Sequence, residues 1–153
     1  MTFADEYYMS LALSEAQIAA DEDEVPIGAL VVAPDGRILG RGHNHTERLA
    51  DVTAHAEMIA IGAAAQTLSS KYLTGCTLYV TVEPCPMCAG AIGWSQLSRI
   101  VYGTADPKRG YSRILRPGTT PFHPRAEVVQ GVLEDRCRAM IRDFFLNKRP
   151  AKI

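Results

Sequence analysis

The chain reads as an α/β fold, and three observations predict it. Segments of helical period and segments of strand period alternate along the sequence rather than segregating into separate halves. Two short apolar runs lie on either side of Pro34-Asp35-Gly36, residues whose fixed or positive φ suits a tight turn, so the runs pair as a hairpin. Farther on, strand, helix and strand follow one another from Thr77 to Thr104, which makes a βαβ unit with parallel strands.

Each element has its own signal. From Asp5 to Ala20 the residues Tyr8, Leu11, Ala12, Ala16 and Ala19 recur at helical spacing, until the acidic run Asp21 to Glu24 ends the pattern. Ile27 to Ala33 and Ile38 to Gly42 are the hairpin strands. Ala54 to Leu68 is Ala-rich helix material with Thr53 as the expected N-cap. Thr77 to Val82 alternates Leu78, Val80 and Val82 with Thr77, Tyr79 and Thr81, the two-residue period of a strand. Cys85 to Gln96 reads as a helix, since Pro84 and Pro86 are tolerated only at its very start. Arg99 to Thr104 is a further strand, and Pro107 to Pro124 a Pro- and Gly-rich loop. A short strand at Ala126 to Val129 precedes the last helix, Glu134 to about Lys148, where Cys137, Ile141, Phe144 and Phe145 fall at roughly helical spacing.

At 153 residues, with 47% hydrophobic and 22% charged side chains, one domain over 1–153 is expected, with no linker or repeat. The start, Met1 to Tyr8, carries Asp5 and Glu6 but no basic residue, unlike a secretory signal. Apolar runs such as Ala29 to Ala33 fall far short of the roughly 20 residues that span a membrane, so a cytoplasmic, membrane-free protein is expected. Charge is lopsided. Residues 1 to 98 hold four basic and twelve acidic side chains, a balance of −8, whereas residues 99 to 153 hold twelve basic and five acidic, a balance of +7. The second part is a candidate face for phosphates, the alternative being a solvated helix surface.

The chemistry concentrates at two helix starts. Cys85 and Cys88 are three apart, so on a first helical turn both sulfurs lie on one side and can grip one ion. His55 heads another predicted helix and would add a nitrogen. Two thiolates and an imidazole suit zinc, and three protein ligands leave a fourth tetrahedral position for water, the arrangement of a catalytic site. Glu57, two residues after His55, can share the space in front of the helix only because it sits at the helix start, and there it would move protons. Taken alone, Cys85-Pro86-Met87-Cys88 could also be a thiol redox pair. Cys76 and Cys137 read as small buried side chains, and His43, His45 and His123, lacking ligand spacing, as surface or loop residues.

Together, Thr53-Ala54-His55-Ala56-Glu57 and Leu78 to Ile92, LYVTVEPCPMCAGAI, match the His-x-Glu and Pro-Cys-x-x-Cys signature of zinc deaminases. With Glu24 to Ala29 and Val101 to Gly110, they make the sequence resemble the cytidine deaminase superfamily, and within it the tRNA-specific adenosine deaminases. That resemblance implies a three-layer α/β/α fold around a five-stranded mixed sheet, one Zn2+ per chain, a homodimer, and conversion of the wobble adenosine of a tRNA anticodon to inosine. It also implies that Asn44 contacts the purine, that Asp106 lies beside the target nucleotide with Lys108 near it, and that Ile27 forms pocket wall. Phe144, Phe145 and Arg149 would meet the anticodon stem-loop, although both phenylalanines also fit a core.

Pro86 and Trp94 resemble guanine deaminases, so a guanine or cytosine/cytidine deaminase acting on a free base or nucleoside is the alternative. A rival of another class is a thiol redox protein, or an RNA-binding protein with structural zinc, in which Glu57 has no role.

Overall fold

The computed structural model describes residues 2–148. Ten elements follow in chain order: α1 (Phe3–Asp21), β1 (Gly28–Val32), β2 (Ile38–His43), α2 (Ala56–Leu68), β3 (Thr77–Val82), α3 (Pro86–Trp94), β4 (Arg99–Thr104), α4 (Tyr111–Ile114), β5 (Glu127–Gln130) and α5 (Glu134–Lys148). The strands form one sheet in the order β2-β1-β3-β4-β5. Pairings β1–β2 and β1–β3 are antiparallel, while β3–β4 and β4–β5 are parallel, so the sheet is mixed and the βαβ unit is as expected.

Alternation along the strands builds three layers. Ala29, Val31, Leu78, Val80, Ile100 and Tyr102 point to one face, where Ala56, Ala60 and Ala64 of α2 and Ala89 and Ile92 of α3 cover them. Leu30, Val32, Tyr79 and Val101 point the other way, onto Met9, Ala12 and Leu13 of α1 and Cys137 of α5. Central strands are therefore buried on both faces, as parallel strands between helical layers must be. Gly40 and Gly42 let α2 lie flush on β2, because a Cβ at either would strike the α2 backbone. That close approach sets where the start of α2, with His55 and Glu57, stands over the sheet. Among the described residues no helix is long and apolar enough to cross a membrane.

Several boundaries differ from the sequence reading. α2 begins at Ala56 with His55, not Thr53, in the N-cap position. The Thr53 hydroxyl and backbone N–H both donate to Asp51 at 2.6 and 2.8 Å, and the Ala56 N–H is taken by Asn44, so the expected cap is spent elsewhere. α3 stops at Trp94, short of Gln96, whose φ is +58°. The buried stripe of α1 runs through Met9, Ala12, Leu13, Ala16 and Ala19, with Tyr8 and Leu11 at its edge. The predicted loop holds a one-turn helix, α4, fixed because Ser112 donates to Glu83 from its backbone N–H at 3.0 Å and its hydroxyl at 2.6 Å.

Periodicity also conceals a buried ion pair. Asp5, 1% exposed, closes the capping box of α1 with Thr2, accepts a hydrogen bond from the Tyr79 hydroxyl at 2.8 Å, and receives both Arg99 nitrogens at 2.6 and 2.8 Å. The Arg99 guanidinium holds the Asp5 carboxyl well below the usual carboxylate range. Asp5→Ala leaves Arg99 with Glu127 alone, leaves the Tyr79 hydroxyl without its acceptor and opens the reciprocal half of the capping box, so we expect a loss of about 2–4 kcal/mol, read from urea denaturation midpoints. Because the folded value is depressed, this stability is fully present above the unfolded value of about 3.9 and is lost as pH falls toward the folded one. The gap between wild type and variant should therefore narrow below about pH 4, and a gap that widens would contradict the assignment.

Candidate metal centre

Two helix starts converge above the sheet. β3 runs into Glu83-Pro84-Cys85, and the pyrrolidine of Pro86 at the first position of α3 turns the chain so that Cys85 caps the helix and Cys88 follows within its first turn. β2 leads through the 44–55 loop to His55, the cap of α2. That loop is pinned by Glu24, buried at 1% exposure, which accepts from the Glu47 and Arg48 N–H groups at 3.0 and 2.8 Å. Asn44 bridges loop and helix, its carbonyl accepting from Ala56 N–H at 3.0 Å while its amide donates to Val25 O at 3.1 Å.

The result is a three-donor group. His55 Nδ1 lies 3.7 Å from Cys85 Sγ and 3.5 Å from Cys88 Sγ. On a tetrahedral zinc ion, with Zn–S about 2.3 Å and Zn–N about 2.0 Å, a sulfur and a nitrogen stand about 3.6 Å apart. The three donors fit zinc without rearrangement, and among the described residues this group has no fourth member, which a structural site would need.

Electrostatics supports the same reading. With only a proton to share, the sulfurs divide unequally: the hydrogen bond between them lowers Cys85 to about 4 and raises Cys88, and the Cys85 sulfur in turn raises His55. A divalent cation replaces that shared proton and satisfies both sulfurs and the imidazole together. Glu57, 4% exposed, meets the Cys88 sulfur, and burial raises its carboxyl to about 7. A carboxyl with that affinity gives and takes protons near neutral pH.

The other predicted residues divide. Ile27, Asp106, Lys108 and Phe145 line one cavity of about 520 Å³, together with Arg138 and Arg142 of α5. Asp106 is fixed there as a turn, its carboxylate accepting from Lys108 and Arg109 N–H groups at 3.0 Å each while its own N–H donates to Glu83. Asn44 sits beside the metal donors through Ala56. Phe144 faces a different hollow against Gln17, Ala20 and Asp21 of α1, with the Lys148 ammonium 5.7 Å from its ring. Arg149 lies outside the described residues.

Cys76 and Cys137 are buried, as expected. His123 is exposed in its loop. His43 and His45 require correction: they are half-buried and stacked, with ring centroids 4.3 Å apart, and group with Glu22. Sequence reasoning also missed Glu24 and Glu83. Glu24 opens a segment that carries the resemblance, but by itself it reads as the end of an acidic run that stops a helix. Glu83, inside the Val-Glu-Pro stretch before Cys85, had a local signal in a carboxylate placed within an otherwise apolar strand exit.

Comparison with known proteins agrees. A family model for the cytidine and deoxycytidylate deaminase zinc-binding region matches residues 3–104. A tRNA-specific adenosine deaminase of Bacillus subtilis is 46% identical over 150 residues, 97% of this chain and 92% of that protein. A solved structure described as a tRNA:A34 deaminase, performing A-to-I editing at the wobble position of transfer RNA, is similar with a TM-score of 0.79 at 42% identity, covering 88% of this chain and 98% of that one. A guanine deaminase from Nitrosomonas europaea gives a TM-score of 0.77 at 25% identity, covering 91% and 83%.

Proposed function

The chain belongs to the cytidine and deoxycytidylate deaminase family and is a zinc-dependent hydrolytic deaminase, and from that premise we propose that it converts the wobble adenosine of a tRNA anticodon to inosine. What carries the substrate is likeness, over nearly the whole of both chains, to a tRNA-specific adenosine deaminase.

The reaction consumes water and adenosine and yields inosine and ammonia. Zinc, when bound, supplies the Lewis acidity that makes water a usable nucleophile at neutral pH. His55, Cys85 and Cys88 would hold it. Water adds at C6 of adenine before the amine leaves, so both of its protons must leave that oxygen in turn, one bound for N1 and the other for the departing nitrogen. Glu57 would carry each of them, since its buried carboxyl is balanced between its two forms near neutral pH. Asn44 would orient the purine, with its own amide already fixed by Val25 and Ala56.

A target base must leave its stack to enter such a site, which a single-stranded anticodon loop permits at least cost. The cavity lined by Ile27, Asp106, Lys108, Phe145 and Arg142 supports this substrate, because it joins cations for phosphates to an aromatic face for a base. Phe144, from its separate hollow against α1, and Arg149 would also contact the stem-loop. Met87 and Trp94, seven residues apart on one face of α3 and 37% and 85% exposed, support a homodimer that covers them. A cytoplasmic setting is compatible with a tRNA substrate.

Supplying the enzyme with an anticodon stem-loop, with guanine and with cytidine tests the reading. Inosine in the RNA is the expected product, with ammonia released in step. Ammonia from guanine or cytidine and none from RNA would transfer the same zinc chemistry to a free base or nucleoside. Pro86 and the likeness to a guanine deaminase make guanine the arm that matters most.

A further inference from the structure

Where the end of α1 meets the exit of β2, the structure assembles a second set of donors free of sulfur. Glu22, His43 and His45 each bring one ligand atom, all within 4.8 Å of one another. His43 Nε2 stands 2.9 Å from Glu22 Oε1, close to the roughly 3.3 Å that separates two nitrogen or oxygen ligands on one zinc-sized ion. The His45 ring is stacked at 4.3 Å and makes no side-chain hydrogen bond among the described residues. We propose that Glu22, His43 and His45 form a second cation site, selective for a borderline divalent ion of the zinc class.

Three features argue for an ion rather than a plain ion-pair network. First, His43 has a carboxylate at each nitrogen: Glu22 at Nε2 and Glu15 at Nδ1, 3.3 Å away. A neutral imidazole carries one N–H and can donate to only one of them, so both carboxylates are satisfied only by an imidazolium or by a cation on one nitrogen. With Nε2 on a cation beside Glu22, Nδ1–H donates to Glu15, the carboxylate–histidine–metal relay in which an outer acid fixes the ring of a ligand. Second, with His43 neutral the carboxylates outnumber the cations. Glu15 and Glu22 are only 13% and 22% exposed, and Arg48, itself 58% exposed, is the one guanidinium paired with Glu22 among the described residues. Third, the donor set is chemically coherent. Two imidazoles and a carboxylate favour zinc, cobalt, nickel or copper over calcium or magnesium, which take oxygen. The ion would clamp the end of α1 to β2 and to the loop, on either side of Asn44, which itself holds the start of α2.

Enzyme holding one equivalent of zinc is titrated with Co2+ and followed by equilibrium dialysis and visible absorption. One further equivalent of cobalt is expected, with ligand-field bands and no sulfur-to-cobalt charge transfer. His43→Gln and His45→Gln should each abolish that uptake while retaining the first zinc. Glu15→Gln should weaken it by about 10- to 100-fold, the usual effect of losing an outer partner. Retention of zinc shows that each variant is folded, and the two histidine variants stand as independent checks. The proposal is overturned if the enzyme takes no second equivalent, if the only cobalt bound shows sulfur charge transfer, or if both histidine variants bind it unchanged.

Discussion

Glu57→Ala is expected to keep its full equivalent of zinc and to lose at least about 10²-fold in turnover, the low end of what a positioned general acid and base contributes. The split between metal and rate is the informative part. Glu57 is not one of the three donors, so its removal leaves the zinc set complete. What disappears is a buried carboxyl, raised to about 7 by desolvation, on which every proton movement of the reaction would converge. Glu57→Gln preserves the shape but can neither take nor give that proton, so it should fall as far as the alanine variant. A glutamine variant near wild-type rate would reduce the carboxyl to a packing element, and unchanged turnover in both would refute the assignment. Loss of zinc together with loss of rate would instead make Glu57 a support of the metal.

The sequence disclosed what is local or periodic. β3 and β4 carry the bounds read from their apolar runs, because strands buried on both faces announce themselves without help from partners. The metal donors were legible because each motif fixes its own helix start, and because strand, helix and strand set Cys85 at the end of a sheet strand, where sites gather in such folds. Polar pairs between distant segments left no such trace. Asp5 and Arg99 are 94 residues apart, and neither differs locally from an ordinary surface charge. His43 and His45 read as loop residues since their partner, Glu22, belongs to the acidic end of another element. The error at Thr53 has the same origin: a good cap residue was outcompeted by Asp51, only two positions away, in a loop whose course Glu24 dictates. α4 was hidden because a single turn has no period, and it exists through Glu83 and Ser112.

His55→Ala should be the more damaging change to the centre, since it removes the only nitrogen donor and leaves two sulfurs that can again satisfy each other with a proton. Zinc content is expected to fall from one equivalent toward none, with turnover falling at least as far as in Glu57→Ala, because Glu57 then has no activated water to deprotonate. Chelation of the wild type should reproduce the loss, and added zinc should restore it there but not in the variant. The melting temperature should also drop, as the ion binds only the folded arrangement and cross-links the starts of α2 and α3. Cys88→Ala should behave like His55→Ala. Cys76→Ala, which empties a buried site among apolar neighbours away from the donors, should keep its zinc and its rate. This contrast between two buried cysteines separates a ligand from a packed thiol. A His55→Ala protein with a full zinc equivalent and normal turnover would mean that the ion sits elsewhere, and with it the site on which the deaminase chemistry rests.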